Sequence, residues 1–151
     1  MQLTRAADYA VRVMIHLAGL PAGACVSHSE LAAAVECPKQ FLAKVLQRLT
    51  RAGLIVSRRG SVGGFELPPS GRRASMLDVI EAIEGPVKLN VCLTSPDACS
   101  RRQNCPAHAV WARGQAALVA VLRSAVIEEL ALDAAAIRET RNRLAEGPAW
   151  N

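Results

Sequence analysis

The sequence predicts a mainly α fold carrying one small β-hairpin, and three observations predict it. Apolar residues recur with the period of a helix along most of the chain, beginning with Ala6, Tyr9, Ala10, Val13, Met14 and Leu17. Aromatic residues make up only 3% of a chain that is 51% hydrophobic, so the core is built from Ala, Val, Leu and Ile, which suits packed helices better than sheets. One stretch breaks the helical period: residues 54–57 and 65–67 read as strands around a glycine-rich tip. At 151 residues the chain is long enough for one domain with a sizeable core plus an extension.

The elements follow in order. Thr4 is an N-cap for the first helix, which Gly19 and Pro21 end. Ser27-His28-Ser29-Glu30 reads as a capping box opening a short helix through Val35. Pro38 suits the first turn of the next helix, which turns Phe41, Leu42, Val45, Leu46 and Leu49 inward and Lys39, Gln40, Lys44, Gln47 and Arg48 outward, with Gly53 just past its end. Two short helices joined by a tight turn and followed by a basic hairpin form a winged helix-turn-helix. Ser75 caps a further helix, MLDVIEAIE, stopped by Gly85-Pro86. A loop with three cysteines follows, and then a helical pattern from Ala107 to about Leu130 with Trp111, Leu118, Val121, Leu122 and Ala125 on one side. So small a domain leaves that stripe little to cover, and a second copy of the chain is its expected partner. The expected division is a winged-helix domain over 1–86, a cysteine loop over 87–106, a dimerisation helix over 107–132, and a C-terminal helix (about 134–145) and frayed tail over 133–151.

The net charge is +5, and its distribution is local. Between Lys39 and Arg73 stand Lys39, Lys44, Arg48, Arg51, Arg58, Arg59, Arg72 and Arg73 against one acid, Glu66, the footprint of a surface that meets a polyanion. Residues 1–20 have no continuous apolar core like that of a signal peptide, and no run reaches membrane-spanning length. The expectation is a soluble, cytoplasmic protein with no membrane partner. In that reducing compartment five cysteines, an odd number, point to metal or redox chemistry rather than disulfides. Catalysis finds little support, and an enzyme is not expected: GSVGG follows no buried strand and opens no helix, and three histidines offer no nucleophile-and-base set by spacing.

In combination, MQLTRAADYAVRVM, RRGSVGGFEL, LDVIEAIEG and the triple-cysteine loop resemble the IscR and NsrR family of bacterial winged-helix repressors that carry iron–sulfur clusters. The resemblance covers residues 1 to about 130. It implies a homodimer, a palindromic double-stranded DNA operator, and a cluster, [2Fe-2S] or [4Fe-4S], whose state sets DNA affinity in response to nitric oxide, redox state or iron.

Cys92, Cys99 and Cys105 are separated by six and five residues, so one flexible loop would wrap a cluster from several sides. Zinc is the rival, because three cysteines and a histidine also form a zinc set. A cluster needs a fourth ligand. His108, in CPAH, is one candidate, since similar regulators use a histidine there; Asp8 is the other, because related repressors take an acidic residue at that position from the partner subunit. Asp8 also precedes Arg12 by four residues, a helical ion-pair spacing, and His108 could simply cap its helix. Cys37, just before the second helix of the motif, reads as a buried structural thiol, and Cys25 has no clear partner.

On the DNA side, the N-terminal part of a helix in the major groove meets base edges first, which nominates Lys39, Gln40 and Lys44. Arg48 lies further along, toward the backbone. Arg58, Arg59 and Ser61 belong to the wing and would meet the minor groove or phosphates. Ser27 and the amides that follow it are a candidate phosphate contact.

Overall fold

The computed structural model describes residues 3–60 and 63–146. Ser61 and the tail 147–151 lie outside the described residues. The chain forms helices α1 (Arg5–Ala18), α2 (His28–Ala34) and α3 (Lys39–Arg51), strands β1 (Val56–Arg58) and β2 (Gly64–Glu66), then α4 (Pro69–Arg72), α5 (Met76–Glu84), α6 (Pro106–Ser124) and α7 (Ile127–Glu146). It is a mainly α, winged helix-turn-helix fold.

Local chemistry sets several of these boundaries. Thr4 caps α1 by accepting the Ala7 amide. Ser27 and Glu30 form a reciprocal capping box on α2, and Ser75 and Asp78 form another on α5. Gly85 ends α5 at φ 78°, a left-handed geometry that favours glycine. Pro38 stands at the N-cap of α3, one residue earlier than a first-turn position.

The main core is made by α1, α2 and α3 around Ala10, Val13, Met14, Leu31, Leu42, Val45, Leu46 and Leu49. A second cluster joins Leu77 and Ile80 of α5 to Val87, just past α5, and Leu122 of α6. Phe41 departs from the inward face expected for it: it is 39% exposed and packs edge-on against Tyr9, 5.7 Å between centroids.

The hairpin pairs Val56 with Glu66, Ser57 with Phe65 and Arg58 with Gly64. Its strands therefore begin later on one side and earlier on the other than the alternation suggested. A third segment joins it, because Val26 and Phe65 exchange two backbone hydrogen bonds of 3.0 and 2.8 Å. A β-carbon on Gly64 would run into the Val26 carbonyl, so this close approach requires glycine. Gly64→Ala is expected to cost about 1–3 kcal/mol through that clash. Urea unfolding checks it, with a midpoint like that of the parent chain as the contrary result.

The C-terminal third corrects the sequence reading. The helix expected over 107–132 is broken: α6 ends at Ser124, and α7 starts at Ile127 and runs to Glu146, far longer than the short helix expected near 134–145. The break contains neither Gly nor Pro. It is made by tertiary pairing, with Ala125 extended (φ −82°, ψ 99°) and accepting the Met76 amide at 2.8 Å, while the Ile127 amide donates to Ala74 at 2.9 Å. That joint sends the start of α7 back onto α1, where Ile127 and Ala131 are buried. α4 is a further element the sequence reading missed. It places Arg72 to donate to the Ala18 and Leu20 carbonyls at 2.8 and 2.7 Å, beyond the end of α1.

Candidate metal centre and nucleic-acid interface

The cysteine loop is anchored at both ends. At its start the Val87 amide donates to Glu81 of α5, and the Leu89 amide donates to Gln115 of α6 at 3.1 Å. A 3₁₀ turn over Val91–Leu93 then carries Cys92, and a second over Arg102–Asn104 leads from Cys99 to Cys105. Cys105 is the N-cap of α6 and Pro106 opens that helix, as its fixed φ allows. This end of a helix carries partial positive charge and favours anionic groups.

The loop brings Cys92, Cys99, Cys105 and His108 around one cavity of about 210 Å³, with Arg102 and Trp111 also in its wall. All three thiols are free and half-buried. A more open cavity of about 570 Å³ shares Cys99, Arg102 and His108 with it. The His108 ring has two different sides. Its Nε2 accepts a long hydrogen bond from Arg102 Nε, at 3.4 Å, and its Nδ1 is buried with no hydrogen-bond partner.

Three thiols and an imidazole are soft and intermediate donors, suited to iron–sulfur clusters or zinc. The orphaned, desolvated ring nitrogen has a further bond to make, and it would serve as a metal donor once Nε2 carries the ring proton and no longer accepts from Arg102. Among the described residues, no three His, Cys, Asp or Glu side chains are grouped closely enough to share a single metal ion. Tetrahedral zinc, with Zn–S bonds of ~2.3 Å, draws its ligand atoms together more tightly than that.

Asp8 stands apart from this cavity. It is half-exposed on α1 and ion-paired with Arg12 at 2.8 Å, the helical pairing its spacing suggested. Arg102 was not singled out from the sequence, although it lies between two of the cysteines, and Trp111 was assigned to the dimer stripe.

On the other face, Lys39, Gln40 and Lys44 are exposed along the N-terminal half of α3. Arg59 is exposed beside the hairpin tip. Three other nominated residues, and Arg72 of the basic run, bond to partners within the chain. Arg48, exposed on α3, donates to the Ile83 carbonyl of α5. Arg58 is paired with Glu66 at 2.7 Å, which raises its own pKa and offsets the charge it brings to the wing. Ser27 accepts the Glu30 amide while its own amide donates to the Glu30 carboxylate, which leaves the Ser27 hydroxyl proton to donate to a phosphate. Arg72, counted in the basic run, caps α1 as described. Cys37 is buried, and burial pushes its thiol pKa up against the opposing pull of Arg12, which makes it a poor nucleophile at this turn.

A buried trihelical head, a short paired wing and a basic, exposed recognition helix define a winged-helix regulator. A family model, Rrf2, described as an iron-dependent transcriptional regulator, matches residues 3–133, and the chain belongs to that family, one of transcriptional regulators and not of enzymes. It is similar to a Mycobacterium tuberculosis (strain H37Rv) protein provisionally named HTH-type transcriptional regulator Rv1287, with 41% identity over 87 residues; this covers 58% of the chain and 54% of that protein, about half its length. Protein aau3 of Rhizobium meliloti (strain 1021) is 32% identical over 132 residues, 86% of the chain and 84% of aau3. Among solved structures, CymR (YrzC), the global cysteine regulator of B. subtilis, superposes with a TM-score of 0.70 at 26% identity, covering 87% of this chain and 96% of that one. T. potens IscR gives 0.69 at 25% identity, covering 89% and 88%. No described helix is long and apolar enough to cross a membrane.

Proposed function

We propose that this chain is a DNA-binding transcriptional regulator, a repressor acting as a homodimer, whose affinity for a palindromic operator is controlled by an iron–sulfur cluster that senses nitric oxide, redox state or iron supply. The observation that carries the reading is the convergence of Cys92, Cys99, Cys105 and His108 on one cavity between the cysteine loop and the start of α6. These residues would hold the cluster, with His108 or Asp8 of the partner subunit as fourth ligand. A bound cluster supplies a centre that reacts with nitric oxide and oxidants.

The chain also offers a physical route from that loop to the DNA. The loop leaves from the end of α5, and Arg48 of α3 holds the Ile83 carbonyl at that same end. A loop held or released by its ligands therefore bears on the position of the recognition helix. Dimerisation is supported by Val110, Trp111 and Val121, which leave apolar surface exposed on α6.

Anaerobic purification tests the reading: iron and sulfide in the protein support it, and a colourless protein with stoichiometric zinc overturns it. A zinc- or thiol-controlled regulator of the same fold is the second reading, favoured by a donor set that zinc also accepts and by the similarity to a cysteine regulator.

For the DNA face, Lys39→Ala and Arg59→Ala are expected to weaken operator binding. Where the side chain meets a phosphate, its removal makes the slope of log K against log salt shallower by ~0.9. Titrations at several salt concentrations check this, and wild-type affinity and slope in both variants would remove the proposed face. Arg58→Ala is expected to matter less than Arg59→Ala, since Glu66 already offsets its charge.

A further inference from the structure

Arg102 raises a question the ligand set alone does not answer. Its side chain is half-buried and lines both cavities of the cysteine loop, together with Cys99 and His108 in each. Among the described residues no carboxylate lies within ion-pair distance of its guanidinium, and its one side-chain hydrogen bond there goes to His108 Nε2. A partly desolvated cation that lacks a carboxylate calls for another anion. The anionic groups that can share these cavities are Asp97, which lines the larger one without forming an ion pair, and the cysteine thiols, which become thiolates when they bind metal. The local backbone holds it there, since the Arg102 amide donates to the Cys99 carbonyl at 3.2 Å.

We propose that Arg102 is the charge-compensating residue of this site: its guanidinium, held in place by the hydrogen bond from its Nε–H to His108 Nε2, offsets the negative charge of the thiolate-bound cluster. The inference rests on the cluster reading above and adds a role for a residue outside the ligand set. Two separable effects follow from the two parts of the side chain. The charge favours whichever state of the site is more negative, so it stabilises the state reached by adding one electron from an electrode. The directed N–H fixes the guanidinium against the lone pair of His108 Nε2, an arrangement in which Nδ1 carries the ring proton and acts as a donor toward the site.

The test compares wild type, Arg102→Gln and Arg102→Lys, each purified anaerobically with iron and sulfide measured first. In Arg102→Gln the midpoint potential is expected to move negative, and iron affinity to fall by about ten- to a hundredfold, as for loss of an outer-shell partner. Arg102→Lys restores the charge without the planar fork. It is expected to recover the potential while keeping the altered visible circular dichroism of Arg102→Gln. His108→Ala is expected to abolish the dichroism difference between Arg and Gln at position 102. A loaded Arg102→Gln protein with wild-type potential, spectrum and iron affinity overturns the role of Arg102 and leaves the cluster reading standing. A wild-type protein without iron and sulfide overturns both. Equal losses in Gln and Lys variants, with no recovery of potential, overturn the charge-compensating role.

Discussion

Cys99→Ser is expected to leave the protein unable to retain iron and sulfide, with operator affinity fixed at the value of the cluster-free form whatever the iron supply. Cys99 is the cysteine with the most connections: it lines both cavities of the loop, and its carbonyl accepts the amide that starts the Arg102 turn. Serine keeps the volume and removes the soft donor, so the loss is chemical and not one of packing. Losing a ligand should exceed the ~10–100-fold typical of an outer-shell partner. Iron and sulfide per chain after anaerobic reconstitution measure it, and wild-type content in Cys99→Ser would remove the cysteine from the site. The same assay divides the fourth-ligand candidates. If His108 is the ligand, His108→Ala changes the cluster spectrum and Asp8→Ala does not. The reverse pattern assigns Asp8 of the partner subunit and makes its exchange between Arg12 and iron a direct link between sensing and the head domain.

The second large effect is on stability. Leu49 is fully buried in the core that α1 and α3 share, and its carbonyl accepts the Leu54 amide where the chain turns toward the wing. Leu49→Ala removes most of that side chain from a site surrounded by other buried residues and is expected to cost about 3–4 kcal/mol. Set against a typical domain stability of about 5–15 kcal/mol, this is a large fraction of the total. Denaturant midpoints at constant slope measure it. A loss under about 1 kcal/mol would mean that the core collapses onto the void.

Much of the fold was legible locally. The capping residues Ser27 with Glu30 and Ser75, and the stop at Gly85, are short-range devices that act within one turn of helix, and the structure uses each as written. The inward residues of α3, apart from Phe41, follow from helical periodicity alone. Phe41 escaped it because its ring finds Tyr9 at the rim, a partner that periodicity does not report. The candidate site was partly legible for a related reason: cysteines close in sequence, on a loop tied down at both ends, are also close in space.

The sequence by itself determined the class of fold, the capped starts of α1, α2 and α5, the presence of the wing and the grouping of Cys92, Cys99, Cys105 and His108, because each depends on residues a few positions apart. Tertiary structure alone decided where the long C-terminal helix breaks, since Ala125 and Ile127 are redirected by hydrogen bonds to residues 74 and 76, some fifty positions away. It also decided which of the basic residues are tied to a partner within the chain. Arg48, Arg58 and Arg72 are drawn to Ile83, Glu66 and the end of α1, and a count of charge along the chain carries no direction. Long-range partners fix direction because a guanidinium satisfies a carbonyl or carboxylate wherever the fold brings one within reach.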